Sequence, residues 1–140
     1  MNEPAVIEEM LRQSKTIAVV GMSDKESRAS FHIGKYLAAN GYRVVPVNPA
    51  LKSVLGMTCY PDLDAALEAM RAEGGAIDLV DVFRASEFVP PIIEDVIRLG
   101  IKYVWLQDGV VAHDAVQKAE AAGVKCVQND CIYRRHAQLF

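Results

Sequence analysis

TIAVVGMSDKESRASFHIGKYL, residues 16–37, decides the fold. Thr16 to Val20 is a short apolar run, the composition of a strand buried on both faces. Gly21 breaks the run. A polar loop, Met22 to Ala29, carries Ser23, Lys25 and Arg28, and Ser30 stands at its end. From about Ser30 the apolar positions recur at helical spacing, with Phe31, Gly34, Leu37 and Ala38 on one stripe. Strand, glycine turn, loop and helix together form the opening unit of an open parallel α/β sheet. In such sheets the first turn brings main-chain N–H groups and the positive start of a helix to an anion. Gly21, Ser23, Lys25, Arg28 and Ser30 are therefore the candidate cradle for the phosphates of a nucleotide-type ligand. The G-x-G-x-x-G fingerprint is absent, so the turn taken alone is equally a plain structural bend. Ser30 reads as the N-cap of the helix, Gly41 as the residue past its end, and Gly34 as a place where helix and sheet approach closely.

Strands and helices alternate along the rest of the chain. Asn2 to Gln13 reads as a leading helix, with Pro4 in its first turn and Val6, Ile7, Met10 and Leu11 on one face. Strand two is Tyr42 to Val47; Pro46, which lacks an N–H, argues for a ladder end or a bulge there. Asn48-Pro49 ends it, and Ala50 to Pro61 is a long irregular connection and a candidate binding loop. A helix over Leu63 to Arg71 leads to strand three, Ile77 to Phe83, interrupted by Asp78 and Asp81 and followed by Arg84. A helix opening at Ser86 or Val89 precedes strand four, Lys102 to Leu106. A helix over His113 to Ala122, strand five at Val124 to Val127 and a short terminal helix complete the pattern. The expectation is one domain: a Rossmann-like, doubly wound α/β fold with a five-stranded parallel sheet, strand order 3-2-1-4-5 and helices on both faces.

Composition narrows the function. At 140 residues, 51 % hydrophobic and 24 % charged, the chain suits a single soluble globular domain. Its net charge of −3 and the lack of any Lys/Arg run disfavour nucleic acid and anionic membranes as partners. No apolar stretch is long enough for a membrane span. The first residues are acidic where a secretory signal would be basic, and the three cysteines, Cys59, Cys126 and Cys131, suit reduced thiols; the expected compartment is the cytoplasm.

The end of strand two discriminates between ligands. NAD-binding domains place Asp or Glu there to hold the ribose 2′-hydroxyl. Here the segment is VVPVNPALKS, with no acid and with Lys52. A cation at this rim favours a ligand with an extra ribose phosphate, either NADP or coenzyme A.

The succession VVGMS (19–23), GYRVVPVNP (41–49), CYPDLDAAL (59–67), DLVDVFR (78–84), VWLQDGV (104–110) and AAGVKCVQNDC (121–131) resembles the small stand-alone CoA-binding domain proteins. It is also similar to the N-terminal CoA-binding domain of the succinyl-CoA synthetase α subunit. The likeness runs from Thr16 to about His136. It implies a Rossmann-like fold and coenzyme A, or an acyl-CoA, as ligand. It implies that Gly21, Ser23, Arg28 and Ser30 meet phosphate. It further implies that Val47, Asn48, Pro49 and Lys52 hold the adenosine end, and that Phe83 and Arg84 line the pantetheine side. The sequence departs from the pattern at QNDCIYRRH (128–136) and in an Ala- and Gly-rich stretch, Glu68 to Ala76.

Catalytic signals do not accompany this likeness. In the synthetase the phosphorylated histidine belongs to another domain. His32, His113 and His136 form no metal spacing with the cysteines, and G-x-S-x-G, H-E-x-x-H and Walker A motifs are absent. The expectation is therefore a non-catalytic CoA or acyl-CoA binding module that senses, carries or presents its ligand to a protein partner, with neither catalytic nor metal-binding residues. The alternative is an NADP-dependent oxidoreductase or other nucleotide-linked enzyme.

Overall fold

The structure, a computed structural model, describes residues 2–140. In chain order the elements are α1 (Pro4–Gln13), β1 (Thr16–Val20), α2 (Ala29–Ala39), β2 (Arg43–Val47), β3 (Ser53–Val54), β4 (Met57–Thr58), α3 (Leu63–Ala72), β5 (Leu79–Val82), α4 (Val89–Leu99), β6 (Tyr103–Leu106), α5 (His113–Ala121), β7 (Lys125–Val127) and α6 (Ile132–Leu139). A short 3₁₀ turn, Ser86–Phe88, precedes α4. The main sheet is five-stranded and parallel, in the order β2-β1-β5-β6-β7. The α/β doubly wound reading therefore holds.

The strand order does not follow the expected 3-2-1-4-5. Numbered within the main sheet alone, it is 2-1-3-4-5, because β5 pairs with β1 and not with β2. The outer edge of β2 is already occupied. Tyr60 forms a parallel bridge with Val47, donating its N–H to the Pro46 carbonyl at 3.0 Å and accepting from the Asn48 N–H at 2.9 Å. Pro46 lies on this edge side, where its missing N–H breaks no ladder bond to β1. The chain from Asn48 to Tyr60 also contains the β3–β4 hairpin, turned at Leu55 and Gly56, both at positive φ. At the opposite edge, the Asn2 side-chain amide clasps the main chain of Gln128 beyond β7, donating to its carbonyl at 2.6 Å and accepting from its N–H at 2.9 Å.

Both faces of the sheet are covered. Ala18 and Val20 of β1 face a core built with α3, α4 and α5 through Leu67, Ile93 and Val116. Ile17 and Val19 face the other core, with α1, α2 and α6 through Met10, Leu37 and Ile132. Ala38, expected in the buried stripe of α2, is exposed. Each buried Val, Leu or Ile contributes about 1.5–3 kcal/mol, so these two cores supply the main drive for folding.

The two aspartates of strand three separate in role. Asp78 lies just before β5, and its carboxylate accepts the N–H groups of Lys15 and Thr16, both at 2.9 Å, tying down the start of β1. Asp81 sits within β5, opposite Val19 and Trp105, and is 0 % exposed. Neither of its carboxyl oxygens has a hydrogen-bond partner among the described residues. Burial pushes its pKa well above the ordinary value, which keeps the folded carboxyl protonated.

That proton makes stability depend on pH. The unfolded chain releases it above about pH 4, whereas the folded chain retains it, so folding stability falls as pH rises from there towards the raised folded pKa. Urea unfolding of Asp81→Asn should show this slope reduced, with a stability gain over the parent that is larger at pH 8 than at pH 5. A gain equal at both pH values would show that the carboxyl does not titrate in this way.

Candidate functional site at the carboxyl rim of the sheet

Three strand ends meet at Gly21. Its N–H donates to the Val47 carbonyl at 2.8 Å, and the Phe83 N–H donates to the Val20 carbonyl at 2.9 Å. Gly21 has φ +85, and a Cβ placed there would lie 2.8 Å from the Phe83 oxygen and 3.2 Å from Arg84 Cδ. A side chain is excluded on both grounds, by conformation and by contact. Beyond it, Met22 is fully buried beneath α2. A Cβ on Gly34 would stand 2.3 Å from Met22 Cε, so this glycine lets the helix close on the loop more than on the sheet itself.

The loop that follows is held by serines. Ser30 Oγ accepts the Ser23 N–H at 2.9 Å, and Ser23 Oγ accepts the Lys25 N–H at 3.0 Å. Ser30 is therefore not the N-cap: α2 begins at Ala29, with Arg28 in extended conformation at the cap position and no side-chain cap bond. The hydroxyl turns back to brace the loop. The first turn of α2 contains no acid, and the N–H groups of Ala29 and Ser30 have no protein acceptor among the described residues. Those free donors and the helix dipole face the loop.

Two cavities open here. A groove of about 530 Å³ is lined by Ser23, Lys25, Arg28 and Ser30, with Ala50 and Leu51 opposite. A cleft of about 450 Å³ lies towards α3 and α4, walled by Val47, Pro49, Leu63, Phe83, Arg84 and Ile92. Gly21, Asn48 and Phe83 line both, so they form the neck between them. Asn48 fixes that neck: its Nδ2 donates to the Met22 carbonyl at 3.1 Å and its Oδ1 accepts the Ala50 N–H at 2.9 Å.

Ten of the residues selected from sequence thus line one continuous channel: Gly21, Ser23, Lys25, Arg28, Ser30, Val47, Asn48, Pro49, Phe83 and Arg84. Lys52 lies apart. It is exposed and lines neither cavity; its carbonyl accepts the Cys59 N–H at 2.9 Å within the edge loop. Asp62 and Asp95, on the cleft wall, were not anticipated. Asp62 caps α3 through the Ala65 N–H at 2.8 Å, and Asp95 accepts from Arg98 at 2.9 Å. Asp62 was legible only as a helix cap, and nothing in the sequence marked Asp95.

Cys59 and the three histidines stand outside the channel lining. The Cys59 thiol is buried behind Asn48 and donates to the Asn48 carbonyl at 3.5 Å, and burial raises its pKa, so it stays a neutral thiol. His32 contacts the Glu26 carbonyl, His113 lies 3.2 Å from the Gln128 amide, and His136 Nδ1 lies 2.7 Å from the Tyr36 hydroxyl. None of the three lines either cavity. No group of three or more His, Cys, Asp or Glu among the described residues is arranged to hold a metal.

A family model described as a CoA binding domain matches residues 15–137. The chain belongs to the CoA-binding domain family. Among its relatives in this family is the uncharacterized protein YneT of Bacillus subtilis (strain 168), 35 % identical over 133 residues, which cover 95 % of this chain and 93 % of that one. Acetate–CoA ligase [ADP-forming] I of Archaeoglobus fulgidus is 28 % identical over 134 residues, covering 89 % of this chain but only 18 % of the ligase. Among solved structures, a hypothetical protein from Pyrococcus horikoshii OT3 superposes with a TM-score of 0.87 at 36 % identity, over 98 % of this chain and 92 % of that one.

Gly21 offers a direct test of how this CoA-binding domain holds its rim. Gly21→Ala should destabilise the fold by about 1–3 kcal/mol, because the added methyl meets both a strained φ and a main-chain oxygen. Chemical denaturation checks this; a loss below about 0.5 kcal/mol, the level of an ordinary surface change, would contradict it.

Proposed function

We propose that this protein is a non-catalytic module that binds coenzyme A or an acyl-CoA along the rim channel. The observation that carries the reading is the open start of α2: free Ala29 and Ser30 N–H groups and an acid-free first turn, beside Lys25 and Arg28 in the groove. That donor set suits a pyrophosphate, and the bare backbone at Gly21 lets it approach. The adjoining cleft, with Val47, Pro49, Leu63 and Ile92 as walls, suits a flat apolar base. Coenzyme A supplies both parts, and family membership supports it over other nucleotides.

Bound in this sense, the ligand would have its phosphates on the start of α2, its ribose at the neck and its base in the cleft. The chain contributes orientation and charge neutralisation. Neither a histidine nor a cysteine lines the channel, and burial raises the pKa of the nearby Cys59 thiol. The module then presents the thiol or thioester to a partner protein. The cytoplasm is the compartment this reading assigns, supported by Cys59, Cys126 and Cys131 as buried free thiols.

Calorimetric titration of the ligand-stripped protein with coenzyme A and with NADPH tests the reading. Coenzyme A should bind and NADPH should not. Arg28→Ala should weaken coenzyme A by roughly ten- to a hundredfold, about 1.5–3 kcal/mol for one charge-assisted hydrogen bond, with the unfolding midpoint unchanged. Binding of NADPH alone would replace this reading with the dinucleotide one.

A further inference from the structure

We propose that Arg84, rather than Lys52, reads the phosphate on the ribose of the ligand, and that Phe88 holds this arginine in reserve until the phosphate arrives. The inference rests on the coenzyme A reading above and concerns the 3′-phosphate that distinguishes that ligand from its dephosphorylated form.

Arginine pairing points to the residue. Of the eight arginines in the chain, Arg12, Arg43, Arg98, Arg134 and Arg135 are engaged by carboxylates. Arg28, Arg71 and Arg84 have no carboxylate partner among the described residues. Arg28 lines the groove and Arg84 the cleft, so two of these three arginines stand on the channel. Arg84 is also the one Lys or Arg among the residues lining the cleft.

Its posture is that of a residue with an alternative partner. The stem passes close to Gly21, at the neck, while the guanidinium lies 4.4 Å from the centroid of the Phe88 ring. Phe88 is 46 % exposed, so the ring gains little from burial where it is. With the pyrophosphate on the start of α2 and the base in the cleft, the ribose spans the neck, beside the Arg84 stem. A guanidinium–phosphate pair is stronger than an exposed cation–π contact, so a phosphate at the neck draws the arginine off the ring. The opposite wall supplies no competing cation: its charged lining residues are Asp62, which caps α3, and Asp95, which is paired with Arg98.

The test compares coenzyme A with 3′-dephospho-coenzyme A by calorimetry at one ionic strength, on the full chain and on Arg84→Ala, Lys52→Ala and Phe88→Leu. The parent should prefer coenzyme A by roughly ten- to a hundredfold. Arg84→Ala should bring that preference to within a few-fold by weakening coenzyme A alone, and its unchanged affinity for the dephosphorylated ligand serves as the folding control. Lys52→Ala should keep the preference. Phe88→Leu should tighten coenzyme A by about two- to fivefold, since the arginine no longer has a ring to leave. Loss of the preference in Lys52→Ala, equal weakening of both ligands in Arg84→Ala, or weaker coenzyme A binding in Phe88→Leu would overturn the proposal while leaving the coenzyme A reading intact. A parent that bound neither ligand would overturn that reading itself.

Discussion

Everything at the rim depends on the main-chain junction at Gly21. One hydrogen bond ties it to the end of β2, a second ties the end of β1 to the start of the segment after β5, and the missing side chain lets the Phe83 carbonyl sit against the turn. The junction fixes three strand ends relative to one another. It therefore fixes the groove on the α2 side and the cleft on the α3 side as parts of one channel. Neither cavity is built by side chains alone, and Gly21, Asn48 and Phe83 belong to both.

Charge at the helix starts then gives the channel its direction. α2 enters the rim with Arg28 at its cap and no acid in its first turn, whereas α3 enters with Asp62 capping and Asp64 following. Two helix dipoles of the same sign thus present different faces to a ligand. One remains available to an anion, and the other is already neutralised by its own carboxylate. An asymmetric ligand, anionic in the middle and apolar at the base, has one favourable orientation along such a channel.

Much of this was legible in the sequence for simple reasons. Apolar runs of four residues at β1, β2 and β6, and the apolar-rich β5 segment interrupted by Asp78 and Asp81, separated by helical stripes, announce a parallel sheet because both faces of each strand must be buried. Gly21 and Asn48-Pro49 stood out because turns at strand ends restrict residue type. The strand order was not legible, since it depends on Tyr60 occupying the edge of β2, and one parallel bridge leaves no periodic trace. The cap of α2 was misplaced by two residues because Ser30 spends its hydroxyl on the Ser23 N–H, a contact across seven positions. Lys52 stands out in sequence as the cation after an acid-free end of strand two, but it lies just before the β3–β4 hairpin, exposed and outside both cavities. Asp95 was invisible because its relevance arises from α4 packing beside a distant strand end.

The segment from Asn48 to Tyr60 carries two duties that pull against each other. Its first residues shape the neck and groove, and its last residue seals the outer edge of β2. A row of unpaired strand donors and acceptors is a template on which another chain can add. Changes in this loop that retune ligand fit are therefore filtered by a second requirement: Tyr60 must still reach Pro46 and Asn48. Substitutions that reshape the channel should accordingly be tolerated more readily on the Arg84–Phe88 side, where no sheet edge is being guarded, than in the loop that lines it from the β2 side.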